Sequence, residues 1–137
     1  MASTIKLDVV TPERVVYSED VDMVIARSLD GDLGILANHA PVIAALKIGI
    51  LRIKKDNRFS HLAVSGGGFM EVSPEKITIL ADSAEKPGEI DLERAKAAKD
   101  RAEKRLSTPR EDIDQTRAEA ALRRAVTRLE TIDRERS

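Results

Sequence analysis

The sequence predicts a mainly β chain with an α appendage. An N-terminal antiparallel β-sandwich of about ten strands spans residues 1–86, and a C-terminal antiparallel two-helix hairpin spans residues 87–137. Three observations carry this. Hydrophobic residues alternate at period two before Pro87-Gly88 and recur at helical spacing after it. Turn residues punctuate the first half every few positions. Charge is uneven: 25 charged residues lie between Glu89 and Ser137, against 22 in the first 88 positions, and 13 of the 25 are basic and 12 acidic. That balance describes solvated helices rather than a basic tail.

The strands follow in order. Ile5, Leu7 and Val9 alternate with Lys6 and Asp8. Val15 to Tyr17 reads as a brief strand, and Val21, Met23 and Ile25 read as one face of the next. Leu33 to Leu36 follows a turn at Asp30-Gly31-Asp32, and Val42 to Leu46 follows Pro41. Leu51 and Ile53 share a face, opposite Ile50 and Arg52. Lys55-Asp56-Asn57-Arg58 is a polar turn before Phe59 to Val64. Phe69 to Val72 follows three glycines, and Lys76 to Leu80 follows Ser73-Pro74-Glu75. So many short strands imply a sandwich or flattened barrel. With 42% hydrophobic residues but only 2% aromatic ones, its core must be aliphatic.

The helices come next. Asp91 is placed to cap the first, along which Ala95, Ala98, Ala102 and Leu106 form a stripe. Thr108, Pro109 and Glu111 read as N-cap, first helical residue and capping-box partner of a second helix running from Glu111 to about Arg134. Its stripe is Ala118, Leu122, Ala125, Leu129 and Ile132. The short link predicts an antiparallel pair. Alanine buries little apolar area at roughly 25 cal/mol per Å², so the hairpin is expected to be marginally stable and movable.

Composition excludes several kinds of chemistry. There is no Cys, hence no disulfide, thiol nucleophile or thiolate metal site. The net charge of −1 gives no bulk attraction to nucleic acid. No apolar run approaches the roughly 20 residues of a membrane helix, and residues 1–8 hold no signal core. A cytoplasmic chain without membrane insertion is expected, one able to sit peripherally on a membrane complex. His39 and His61 each lack a metal partner at i+4, so no metal site and no catalytic residue is assigned. Ser65-Gly66-Gly67-Gly68 has no following Lys-Ser or Lys-Thr and leads into a strand. Close backbone packing explains it better than a phosphate loop. Asp30 to Gly34 lacks the bidentate glutamate of a calcium loop and reads as a turn. Scarce Asn and Gln among many charges suit a thermophile.

The arginines say more. Arg94, Arg101 and Arg105 repeat along one face of the first helix, as Arg117, Arg124 and Arg128 do on the second. Folding the chain at Thr108 brings Arg94, Arg124 and Arg128 toward the open end of the hairpin, beside Glu85 and Asp91. Two readings stand. One is a solvated face with intrahelical pairs such as Glu93–Lys96, which spacing alone favours. The other is an anion site, since guanidinium groups match phosphate oxygens.

Three motifs, in order along the chain, resemble the epsilon-subunit family of bacterial and chloroplast ATP synthases. They are Gly31 to Pro41, Ser65 to Val72, and Ile90-Asp91-Leu92-Glu93-Arg94-Ala95. Val10-Thr11-Pro12 with Tyr17 is similar to that family's opening strands. Ala37-Asn38 stands where Pro-Gly is common, and Asn is expected to take the left-handed conformation there. The resemblance implies a non-catalytic central-stalk subunit on the cytoplasmic face of the cell membrane, coupling rotation of the rotor ring to ATP synthesis. It implies gamma-subunit and c-ring partners, with Asp32 facing the ring and His39 near gamma. It also implies a hairpin that lies against the sandwich when compact. When extended, it would reach the alpha and beta catalytic subunits, through residues such as Arg117, Arg123, Arg124 and Arg128, and inhibit ATP hydrolysis. ATP, with or without Mg, would bind the compact state through Glu85, Ile90, Asp91, Arg94, Ala95, Arg124 and Arg128. No cofactor is required for this role. A free-standing ATP-sensing module is the alternative, and a small hydrolase the remote one.

Overall fold

The computed structural model describes residues 3–108 and 114–136. Nine strands come first: β1 (Ile5–Val10), β2 (Val15–Val21), β3 (Met23–Ser28), β4 (Gly31–Leu36), β5 (Val42–Leu46), β6 (Gly49–Lys55), β7 (Arg58–Val64), β8 (Gly68–Val72) and β9 (Lys76–Ala81). A 3-10 turn at Pro87–Glu89 leads to α1 (Leu92–Ser107) and α2 (Gln115–Arg136).

The strands join in the order β2-β1-β9-β8-β5-β3-β6-β7, with β4 on the other edge of β3. The link between β5 and β3 is the single pairing Ser28↔Leu46. There the sheet turns over on itself and becomes two layers. Between them lie Ile5, Leu7, Val9, Val24, Ile35, Leu51, Ile53, Leu62, Met70, Ile77 and Ile79, each at most 1% exposed. Branched aliphatic side chains at alternate positions fill such a layer densely, which makes it stiff.

Two features of the sheet differ from the sequence expectation. The pairing is not wholly antiparallel, because β1 lies parallel to β9, from Lys6↔Lys76 to Val10↔Leu80. Period-two alternation exists in both pairings, so the pattern cannot report direction. The inward phase also shifts between β2 and β3. Val21 is buried, but Val24 and Ala26 follow it inward while Met23 and Ile25 face outward. Asp22 makes the corner, its N–H donating to Lys54 O at 2.8 Å. An odd step at such a corner flips every later side chain to the other face.

The tight places have visible causes. Asp56 and Asn57 take φ of 51° and 63° between β6 and β7, the twin left-handed residues of a two-residue hairpin. Asn38 takes φ 65°, as expected of Asn at that loop. At Gly68 an added Cβ would stand 2.0 Å from Leu80 O, so the third glycine serves close backbone packing.

Helix α1 starts where predicted, with Asp91 Oδ1 accepting from Arg94 N at 3.1 Å. The start of α2 differs. Thr108 is the C-cap of α1 instead, its hydroxyl donating to Lys104 O at 3.0 Å. Asp114 caps α2 through Arg117 N at 3.1 Å. Pro109 and Glu111 lie outside the described residues. Ala95 and Ala102 of α1 and Ala118 and Ala125 of α2 are buried. Helix α2 packs on β6 and β7, and α1 packs chiefly on α2. Thr127 and Thr131, absent from the predicted stripe, are also buried. The polarity of Thr131 is met locally, since its hydroxyl donates to Thr127 O at 2.7 Å.

Candidate functional site: an arginine cleft at the root of the hairpin

The segment joining sandwich to hairpin builds a cleft of about 330 Å³. Glu85, Glu89, Ile90, Asp91, Arg94, Ala95, Ala98, Arg101 and Arg128 line it. Each wall is fixed by a different local device. Glu85 is pinned by a two-way backbone pairing with Ala63, both bonds 2.9 Å. Pro87 starts the 3-10 turn, and Glu89 closes it by accepting from Lys86 N at 2.9 Å. Asp91 then starts α1, so Arg94 and Ala95 fall on its first turn and Ala98 and Arg101 on the next two. The alanines leave room where longer side chains would fill the cleft.

Three carboxylates and three guanidinium groups line this space, yet the carboxylates are already engaged. Glu85 Oε1 accepts from Arg128 Nε at 2.7 Å, and its Oε2 accepts from Ser65 Oγ at 2.5 Å. Glu89 takes both Nη groups of Arg14, at 2.6 and 3.0 Å. Arg14 holds the Glu89 carboxyl below the usual carboxylate range, and the Lys86 N–H adds to that. Asp91 accepts the helix-capping bond. Among the described residues, the side chains of Arg94 and Arg101 form no ion pair. Two unanswered cations beside an engaged acid set favour an anionic ligand with several oxygens.

Of the seven residues expected to bind a nucleotide, the fold brings Glu85, Ile90, Asp91, Arg94, Ala95 and Arg128 to this cleft. Arg124 is not among its lining residues; Arg101 is. Arg101 lies at i+7 from Arg94, so its spacing held the signal. Glu89 was also missed, and nothing in the sequence announces its pairing with Arg14, 75 positions away. The Glu93–Lys96 pair expected of a solvated face is present too, at 4.0 Å.

Asp32 and His39 sit elsewhere. Asp32 is exposed on β4, 3.8 Å from Arg27 Nε. His39 lies in the loop before β5, with Nδ1 2.7 Å from Ala40 O, so Nδ1 carries the proton. A larger surface feature escaped the sequence reading. Val15, Val10, Leu80, Phe69 and Ala45 pair across β2, β1, β9, β8 and β5 in one continuous row. Phe69 is 59% and Leu80 55% exposed. Contiguous exposed apolar side chains are the usual material of a protein interaction surface.

Family models match nearly the whole chain. The ATP synthase delta/epsilon chain β-sandwich domain matches residues 4–87, and the long α-helix domain of the same chains matches residues 89–133. The chain is 53% identical to the ATP synthase epsilon chain of Desulforamulus reducens, covering 97% of this chain and all of that one. It is 53% identical to that of Alkalihalophilus pseudofirmus, covering 93% and 96%. A chain in the mitochondrial ATP synthase structure of Euglena gracilis shares the fold with TM-score 0.78 at 23% identity, covering 98% of this chain and 82% of that one.

Proposed function

Because the chain belongs to the family of ATP synthase epsilon chains, non-catalytic subunits of that complex, we propose that it is a coupling element of the central stalk whose hairpin is a nucleotide-held brake on ATP hydrolysis. The sandwich is the gripping part. Its apolar row across β2, β1, β9, β8 and β5 suits a gamma-type partner, and Asp32 on the β4 hairpin suits the polar loops of a rotor ring, with His39 on the gamma side. No described helix is long and apolar enough to cross a membrane. The place proposed for it is that of a stalk subunit, peripheral and on the cytoplasmic face.

The hairpin is the regulatory part. In the compact state the cleft holds ATP, with or without Mg on its phosphates. Arg94, Arg101 and Arg128 face the phosphates, and Ile90, Ala95 and Ala98 offer an apolar wall. In the extended state α2, 22 residues and so roughly 33 Å long, reaches toward the alpha and beta subunits. The cleft then no longer exists, because Arg128 leaves Glu85. ATP shifts the balance by its differential affinity. At 100 dissociation constants this is worth about 2.7 kcal/mol, enough to matter for an alanine-packed arm.

One observation carries the nucleotide reading: among the described residues Arg94 and Arg101 form no ion pair, while Glu85 and Glu89 in the same cleft are already paired with other arginines. Calorimetric titration of ATP into the chain tests it. Binding is expected, and Arg94→Ala or Arg101→Ala weakens it at least tenfold. No heat and no amide chemical-shift change at millimolar ATP would remove the nucleotide role and leave the stalk role standing.

A further inference from the structure

Ser65 is fully buried, opens the glycine corner between β7 and β8, and has no part in the ligand set proposed above. Its hydroxyl lies 2.8 Å from Ser83 Oγ and donates to Glu85 Oε2 at 2.5 Å. Ser83 Oγ must then be the donor to Ser65. The other carboxylate oxygen, Oε1, accepts from Arg128 Nε at 2.7 Å. These bonds form one chain: Ser83 to Ser65 to Glu85, met from the far side by Arg128.

The backbone holds the inner end of this chain still. Ser65 N and Gly66 N both donate to Ser83 O, at 3.1 and 3.2 Å, and Ala63 and Glu85 exchange both of their backbone bonds. The outer end is different. Terminal carboxylate torsions are broad, so an unanchored Glu85 would swing. Arg128 offers five N–H donors in a planar fork. If Glu85 takes Nε, the two Nη groups are left for the cleft, which Arg128 lines.

We propose that Ser65 is a positioning residue of the anion cleft: through Glu85 it fixes the plane of the Arg128 guanidinium and so presents its Nη edge to the ligand's phosphates. Ser83 orients Ser65 in turn. This rests on the nucleotide reading only for the identity of the ligand, because the orientation of Arg128 is a property of the chain itself. Bonds in a connected chain to a charged acceptor reinforce one another, so the loss of Ser65 reaches Arg128 two bonds away.

The test uses the full chain and two readouts. The first is the Nε–Hε resonance of Arg128 without ligand, in wild type, Ser65→Ala and Ser65→Thr. Ser65→Ala is expected to shift or broaden it, and Ser65→Thr, which keeps the hydroxyl, to restore it. Ser18→Ala removes a like serine bond to Asp8 on the sandwich surface, 2.6 Å long, and should leave the signal in place. The second readout is ATP affinity. Ser65→Ala should weaken binding roughly tenfold, as for a lost hydrogen bond to a charged group. In a Glu85→Ala background the same change should add nothing. An equal loss in both backgrounds means a generally structural serine and overturns the proposal, as does an Arg128 resonance indifferent to Ser65→Ala. If that resonance responds but wild type binds no ATP, the positioning role stands and the nucleotide reading falls. Should Ser65→Ala fail to fold, Ser83→Ala breaks the chain one bond earlier and is read in the same way.

Discussion

The sandwich and the hairpin bury different things. Between the sheets lie Ile, Leu, Val and Met side chains. Between the helices and beneath them lie Ala95, Ala102, Ala118 and Ala125, two threonines, and Ile132 as the single large side chain buried in the hairpin's described residues. Burial stabilises in proportion to apolar area. The sandwich can therefore stand on packing, while the hairpin leans on specific polar ties to the sandwich, chiefly Glu85–Arg128. A part held by a few directional bonds can be released by a ligand or a charge; a part held by a dense aliphatic layer cannot.

The largest way to break this contrast is at Gly68. Gly68→Ala places a Cβ 2.0 Å from Leu80 O at φ +149°, and neither backbone can yield cheaply. The loss should reach about 4 kcal/mol or more, and urea titration should show the whole sandwich unfolding early. Next comes Arg128→Ala. It leaves Glu85 Oε1 without its cation, with only Ser65 still donating to the carboxylate, and should cost about 1–3 kcal/mol, confined to the hairpin. Hydrogen exchange should rise in α2 and stay unchanged in β1, β8 and β9; exchange rising in those strands as well would mean the two parts are one cooperative unit.

A smaller effect comes from pH. Among the described residues, His61 Nδ1 on β7, the strand beneath α2, is buried without a hydrogen-bond partner. Burial pushes the imidazole below its ordinary 6.5, and Arg134 of α2 and Arg52 of β6 push the same way against Glu135. A depressed histidine favours its neutral form in the docked state. That contribution is complete above pH 6.5 and is lost as pH falls through the lower folded value. Amide resonances of α2 should report undocking in mild acid, and His61→Asn should flatten the response. The smallest expected effect is on the sandwich of a chain ending at Pro87: its strand amides keep their dispersion. Collapse of that spectrum would show that residues 1–86 do not fold alone.

Much of this was legible because local rules agree with the fold. Alternation gave the buried faces of β1 and β6, and Asp91 gave the start of α1 by its capping chemistry. What stayed hidden depends on distant partners. Asp22 turns a corner that only Lys54 O explains. Asp114 wins the cap of α2 although Thr108-Pro109 carries the stronger local signal. That Arg128 of α2 lines the cleft beside Arg94 and Arg101 while Arg124 does not depends on how the two helices cross, which spacing on α2 alone does not report. The apolar row was invisible for another reason. Val10, Phe69 and Leu80 look like core in sequence, and only cross-strand register shows that they stand side by side on the outside.

The parallel seam between β1 and β9 sets a schedule for the newborn chain. β1 emerges first from the ribosome, yet one of its two edges has no neighbour until residue 81 has been made. Such contacts, far apart in sequence, form late and slowly. The strand that closes the seam is followed within four residues by Glu85, so the acid that receives the arm is in place soon after closure, 43 positions ahead of Arg128. An unfinished sandwich cannot offer Arg128 its partner, so the arm docks only on a finished sheet.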